Sequence, residues 1–280
     1  MTMNNYLHLF RVKHYVKNIL IFLPVFFSGN LFNPKMLLLL FPAFFAFCFM
    51  TSAIYIFNDI CDIEADKKHP TRKKRPLAAN RIQKFNAFIC MFFCVLLSVS
   101  ISVYLGNLTA TFLLFLYFII NIFYSKILKK IPVIDIVVLV SFYLLRLYYG
   151  GVISHVIISQ WLYLVIMSGS FYLVLGKRRN ELLLSTESRD VLKYYSKSFL
   201  CHNMYVCSAL TVVFYALWTI NVKKPEFIWT TPFLILLLMY YSFIIESNSD
   251  GDPVEVIFNN KKMFLMVLIF TICIFTLIYF

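Results

Sequence analysis

The sequence predicts an all-α, polytopic membrane protein of about nine transmembrane helices, and three observations carry that expectation. Hydrophobic residues make up 61% of the 280 and charged residues only 14%, with a mean hydropathy of +0.80, far from the composition of soluble domains. Apolar stretches of about 20 residues, long enough to cross a bilayer as helix, recur along the chain. They leave no room for a soluble domain, so residues 1–280 read as a single integral membrane domain. Basic residues, in turn, gather in alternate connections between those stretches, as membrane insertion requires.

The expected spans are 18–32, 36–58, 85–105, 108–124, 133–150, 157–176, 199–220, 228–246 and 263–280. The first is the shortest, interrupted by Pro24 and Gly29. Its basic lead-in and nine-residue apolar run imitate a signal peptide, but eighteen residues precede the run and no Ala-x-Ala site follows, so no cleavage is expected. Of the 26 Lys and Arg residues, 22 fall at the N-terminus or after the second, fourth, sixth and eighth spans. Lys35, Lys223 and Lys224 fall on the other side, and Arg146 lies within a span. The bias places the N-terminus and those connections on the cytoplasmic side of the membrane, and the C-terminus outside. The net charge of +13 then reads as a topological signal, and no nucleic-acid partner is expected.

The acidic residues keep to the same side. Of thirteen, only Glu226 is plainly external, and Asp135 opens a span. Carboxylates contribute little to the inside rule, so both signs of charge on one face point to chemistry or ligand binding there. The seven cysteines lie mostly in apolar spans without paired spacing and read as small core residues; Cys201 and Cys207 with His202 make an unconvincing metal set.

The densest charged stretch is NDICDIEADKKHPTRKKRP, residues 58–76, with four carboxylates and six basic side chains. If the second helix runs on to about residue 67, a turn of about 100° per residue puts Asn58, Asp59, Asp62 and Asp66 on one side and Glu64 on another. Three carboxylates on one face repel one another, and a divalent cation is their natural partner. Hard oxygen ligands with positions left over suit Mg²⁺, which commonly binds through a few carboxylates plus substrate phosphates. His69-Pro70 ends the helix, and Arg72, Lys73, Lys74 and Arg75 follow in a loop able to fold back, which together would make a diphosphate site. The plainer alternative is a solvated helix end whose acids pair with Lys67, Lys68 and Arg72.

The pattern NDxxDxxxD at this place resembles the first signature of the UbiA-type prenyltransferase superfamily, intramembrane all-α transferases that act on diphosphates with Mg²⁺. The longer NDICDIEADKKHPTRKKRPLAAN is similar to the decaprenyl-phosphate phosphoribosyltransferase branch, whose pattern runs NDxxDxxxDxxHPxKxxRPxAxG. HYVKNILIFLPVFFSGNL, YSKILKKIPVIDIVVLVSFYLLRLYYGG, GKRRNEL and DGDPVEV resemble further blocks of that branch, in order from residue 14 to 256. Arg72 stands where Lys is usual, Asn80 where Gly is usual, and Val12 where Pro is frequent. Asn80 bears on the turn after Arg75, where glycine's conformational freedom is in play. The second acidic cluster of the aromatic prenyltransferases, DxxxD, is replaced by Asp135 alone among Lys126, Lys129 and Lys130, which suits an anion bound by ammonium groups.

The resemblance implies a transfer of 5-phosphoribosyl from phosphoribosyl diphosphate to a polyprenyl phosphate lipid in the bilayer. Asn58, Asp59, Asp62 and Asp66 would hold Mg²⁺ on the donor diphosphate. Arg72 and Arg75, then Lys17, Lys177 and Arg178, would take up its remaining charge. Tyr124 and Lys129 are candidates for the lipid phosphate, and Asp135 for ligand positioning. Glu181, three residues after Arg178, is placed to orient it. Arg146 lies roughly 16 Å beyond Asp135 along the same helix and stays outside the site; it is either functional or snorkels outward past Tyr148 and Tyr149. The role of the acidic loop at 247–258 is left open. Two other classes remain: a prenyltransferase with an aromatic acceptor, which the missing DxxxD disfavours, and a secondary transporter, which would place ionisable residues at mid-bilayer.

Overall fold

The structure, a computed structural model, describes residues 3–68, 72–184, 190–222, 224–246 and 251–280, and every regular element among them is helical. Among the described residues, seven helical segments are long and apolar enough to cross a membrane. The chain divides into two compact units, Met1–Lys126 with Leu145–Ile157, and Ile127–Leu144 with Ile158–Phe280.

The first unit holds α1 (Met3–Phe10), a 3₁₀ stretch (Val12–Phe22), α2 (Leu23–Phe27), α3 (Pro34–Cys61), α4 (Ile63–Lys68), α5 (Lys84–Tyr104), α6 (Leu108–Lys126) and the second half of α7 (Ile134–Ser154). Its centre is α3, which packs on α1, the 3₁₀ stretch, α5 and α6. Asn33 starts α3 by accepting the Lys35 amide at 3.1 Å, with Pro34 at the first helical position, where no amide is needed. Ala43, Ala46, Ser52 and Ala53 are buried along it, and such small side chains let apolar helices approach closely where lipid gives no hydrophobic drive. Ser98 on α5 donates to the Ala46 carbonyl at 2.7 Å.

The expected span 18–32 is not one helix. An eleven-residue 3₁₀ run leads into the five residues of α2, which end at Ser28 and Gly29, the latter at φ 74. A 3₁₀ run of that length is uncommon, and its middle carries a buried polar residue, Asn18. The far half of α7 presses on this stretch: a Cβ at Gly150 would come within 2.0 Å of the Ile21 carbonyl oxygen.

The second unit holds a 3₁₀ turn (Leu128–Lys130), the first half of α7, α8 (Gln160–Leu184), a 3₁₀ turn (Asp190–Tyr194), α9 (Lys197–Asn221), a 3₁₀ lead (Pro225–Thr230) into α10 (Thr231–Glu246), α11 (Pro253–Asn259) and α12 (Lys261–Tyr279). Its core gathers Ile136, Val140, Tyr172, Leu200, Met204, Tyr241 and Ile245. Tyr172 keeps its hydroxyl satisfied by donating to the Leu238 carbonyl at 2.7 Å, as a buried phenol requires. Instead of stopping at 176, the helix expected at 157–176 runs from Gln160 to Leu184. It carries the basic residues 177–179 as its own side chains, and it is absent from the seven apolar segments.

Candidate active site

In the first unit the acidic motif straddles a break. Asp62 leaves helical geometry at φ −102, ψ 12, between α3 and α4, so the helix does not run unbroken to residue 67. The ladder survives the break: the Asp62 amide donates to the Asn58 carbonyl at 2.9 Å, and the Asp66 amide to the Asp62 carbonyl at 2.8 Å. The two carboxylates on either side converge. Arg75 Nη1 donates to Asp66 Oδ2 at 2.7 Å and to Asp59 Oδ1 at 3.1 Å, and the Arg11 guanidinium also donates to Asp59 Oδ1. Asp59 and Asp66 are each only 2% exposed. Carboxylates so far from water are tolerable only when paired, and two guanidinium groups provide that pairing.

The loop that delivers Arg75 is fixed from beneath. Leu77 and Ile82 are buried with Leu9 of α1, Ile56 and Ile60 of α3 and Ala87 of α5, and burying a leucine or isoleucine contributes about 1.5–3 kcal/mol. The Ala79 amide closes a turn on the Arg75 carbonyl at 2.9 Å, and Asn80 takes φ 54. Asparagine is among the few residues that accept the left-handed region, so the turn survives without the glycine.

Other expected ligands are placed differently. Asn58 Oδ1 accepts the Ser125 hydroxyl at 2.5 Å, and Asp62 is half-buried at the break. Lys17, on the 3₁₀ stretch, and Tyr124, near the end of α6, are half-buried. The Arg72 side chain lies outside the described residues. Glu64 pairs with Lys67 at 2.8 Å on the surface, a solvated pair of little energetic weight. Among the described residues no three His, Cys, Asp or Glu side chains are grouped to hold a metal ion; of the expected quartet, Asp59 and Asp66 are the two that share the Arg75 nitrogen. That pair still fits a divalent cation. The Arg75 nitrogen stands where a cation contacts both carboxylates, and Mg²⁺ needs only one or two, taking its other ligands from water and phosphate.

Arg11 is one of the groups that sequence reasoning missed. It links α1 to the 3₁₀ stretch at φ 52, with its guanidinium 4.6 Å above the Tyr55 ring. Nothing in the acidic motif announces it, forty-eight residues away.

The second unit holds Asp135 in the first turn of α7, where the helix dipole favours an anion. Asp135 is 0% exposed, and both oxygens are engaged: Oδ2 by Arg178 Nε at 2.8 Å, Oδ1 by the Tyr195 hydroxyl at 2.5 Å. Arg178, 1% exposed, also donates to Glu181 at 2.5 Å. Asp135 and Arg178, expected at ligand, are thus buried against each other. Burial first, and then the bond to Asp135, raise the Tyr195 phenol well above its ordinary pKa, so it is a proton donor at neutral pH. Lys177 meets Asp252 at 2.7 Å, and Asp252 in turn caps α11 by accepting the Val254 amide at 3.0 Å. Lys129 is half-buried and Lys130 exposed in the turn before α7.

Arg146 does not snorkel. It is 4% exposed, its Nε donates to Asn18 Oδ1 at 2.7 Å and its Nη2 to the Tyr117 hydroxyl at 2.9 Å. Its guanidinium carbon lies 5.3 Å from the Phe47 ring centre. Cation–π contact and hydrogen bonds replace water around the charge, and tie α7 to the 3₁₀ stretch that carries Lys17.

The model of the UbiA prenyltransferase family matches residues 19–268. The chain belongs to the UbiA prenyltransferase family. Membership in the UbiA family makes it a transferase. It is 31% identical over 283 aligned residues to the decaprenyl-phosphate phosphoribosyltransferase of Corynebacterium glutamicum, covering 96% of this chain and 85% of that protein. It is 30% identical to the Mycolicibacterium smegmatis protein of the same name, over 81% of this chain and 76% of that one. Among solved structures, a UbiA homologue from Archaeoglobus fulgidus bound to GPP and Mg²⁺ superposes with a TM-score of 0.74 at 19% identity, over 98% of this chain and 99% of the other. At that identity the likeness speaks for the UbiA fold.

Proposed function

We propose that this protein transfers a 5-phosphoribosyl group from phosphoribosyl diphosphate to a polyprenyl phosphate at the cytoplasmic membrane face, with Mg²⁺ as cofactor. The observation that carries the reading is the contrast between the two acidic positions. Asp59 and Asp66 converge on one cationic nitrogen, whereas Asp135 has both oxygens taken by Arg178 and Tyr195. Asp59 and Asp66 are therefore suited to a metal-bound diphosphate, whereas Asp135 is already neutralised by Arg178. A prenyltransferase with two aspartate-rich metal sites needs carboxylates on both. The phosphoribosyltransferase relatives, similar over most of the chain, support the same choice.

In this reading Asp59 and Asp66, with Asn58 and Asp62 beside them, would hold Mg²⁺ where the donor diphosphate binds. Bound there, Mg²⁺ would offset the negative charge that builds on the leaving diphosphate. Arg75, with Arg72, Lys17 and Lys177, binds the remaining diphosphate oxygens. An oxygen of the lipid phosphate attacks C1 of the ribose from the opposite face and supplies the electron pair of the new bond. The C1–O bond to diphosphate breaks, and its electrons leave with diphosphate, inverting C1. The nucleophile is already an anion, so no strong base is needed. Tyr124 and Lys129 hold the lipid phosphate, and Asp135 keeps Arg178 and the turn before α7 in place.

Purified protein given Mg²⁺, radiolabelled phosphoribosyl diphosphate and polyprenyl phosphate is expected to move the label into the lipid phase. Label that stays in water while a prenyl diphosphate is consumed with an aromatic acceptor would favour the other transferase. Neither reaction, with solute uptake into vesicles, would favour transport.

A further inference from the structure

Val133 stands at φ 66, and the amide of Ile134 donates to the Pro132 carbonyl at 2.8 Å. A hydrogen bond across two residues with positive φ between them marks the rarer, strained γ-turn. For a β-branched residue this is a true outlier, and strain of this kind persists only where the surroundings over-determine it. Core packing does not impose it, since Val133 is 50% exposed.

Besides the Asp135 amide, which closes across the turn on the Ile131 carbonyl at 3.1 Å, the turn is held by a phenol sixty-two residues away. The Val133 amide donates to the Tyr195 hydroxyl oxygen at 2.6 Å, and the same hydroxyl donates its proton to Asp135 Oδ1 at 2.5 Å. Arg178 fixes the other Asp135 oxygen. The Leu128–Lys130 turn also packs on the Asp190–Tyr194 turn, directly before Tyr195. Only Ile131 and Pro132 separate Lys130 from Val133, so the left-handed turn sets where the Lys129 and Lys130 ammonium groups stand. We propose that Tyr195 is a positioning residue for the transfer, its hydroxyl holding Val133 in the strained turn and thereby aiming Lys129 and Lys130 at the anionic headgroup of the acceptor lipid. The role of Lys129 rests on the reading of function given above; the mechanical link does not.

Tyr195→Phe in the full-length protein removes the hydroxyl and keeps the ring, which stacks on Phe199 at 5.7 Å. Amide hydrogen exchange over residues 128–134 is expected to quicken about tenfold. The KM for polyprenyl phosphate is expected to rise about tenfold with kcat within about twofold. Glycine adopts positive φ without strain, so adding Val133→Gly is expected to return most of both losses, which it could not do if Tyr195→Phe merely loosened the core. Unchanged exchange in Tyr195→Phe, or a double variant as loose as the single one, would overturn the proposal. Exchange is read without substrate, so a wild-type protein that transfers no ribosyl group would sink the function while leaving the Tyr195 link to be decided by exchange.

Discussion

Arg75 Nη1 lies 2.7 Å from Asp66 Oδ2 and only 0.4 Å further, at 3.1 Å, from Asp59 Oδ1, so a single guanidinium nitrogen bridges two buried carboxylates. Arginine and a divalent cation are then competitors for the same oxygens. Removing the competitor favours the metal by a charge–charge term of about 1 kcal/mol. Arg75→Gln is therefore expected to bind Mn²⁺ alone about three- to tenfold more tightly, read by paramagnetic titration. It is also expected to bind phosphoribosyl diphosphate about tenfold or more weakly, because a charge-assisted donor to phosphate is gone. Loss of metal and donor binding together would mean that Arg75 builds the carboxylate geometry instead.

Asp135 and Arg178 form an ion pair from which water is shut out almost completely. Breaking such a pair by removing one partner typically costs about 3–5 kcal/mol, while replacing both can be nearly neutral. Asp135→Asn is expected to lower the thermal midpoint in detergent sharply, and Asp135→Asn with Arg178→Met to recover part of it. An Asp135→Asn protein that melts like wild type and is inactive would instead put Asp135 on the substrate.

Periodicity and charge made most of the fold legible. Seven of the nine expected spans correspond to the seven long apolar segments, because about 20 apolar residues between charged loops have few alternatives in a bilayer. The departures have local causes. At 18–32 the backbone is 3₁₀ around buried Asn18, whose partner Arg146 is 128 residues away, and no pattern in either segment encodes that bond. At 157–176 the helix ignores the change in polarity at Lys177, because Lys177 and Arg178 find carboxylates within the protein. For the site, the spacing of Asp59 and Asp66 was readable as one helical face. The break at Asp62 was not, since neither proline nor glycine marks it. Arg11 and Tyr195 were invisible for a simpler reason: their partners lie 48 and 60 residues away.

Asp252 both caps α11 and faces Lys177, and two substitutions separate those roles. Asparagine caps a helix about as well as aspartate, whereas alanine costs about 1 kcal/mol. Asp252→Asn is expected to keep stability within about 0.5 kcal/mol of wild type while altering the KM for phosphoribosyl diphosphate severalfold, as Lys177 loses its counter-charge. Asp252→Ala is expected to add the cap loss, seen as a lower thermal midpoint. If the Asn variant keeps the wild-type KM, Lys177 has no part in donor binding.

Two glycines in long helices should respond to alanine in opposite directions. At Gly150 a new Cβ would stand 2.0 Å from the Ile21 carbonyl oxygen and 2.7 Å from its carbon. These are backbone atoms, so rotation of a side chain cannot relieve the clash, and the 3₁₀ stretch must move away from α7, carrying Asn18 off Arg146. Gly150→Ala is expected to cost about 3 kcal/mol or more, in line with overpacking plus a broken buried network, and to appear as loss of monodisperse protein on extraction. At Gly169 the nearest atom would be Thr211 Cγ2 at 3.7 Å, an ordinary contact, and alanine lowers the entropy of the unfolded chain. Gly169→Ala is expected to stabilise by about 0.4–1 kcal/mol. Equal effects at the two positions would show that close backbone approach at Gly150 does not hold the first unit together.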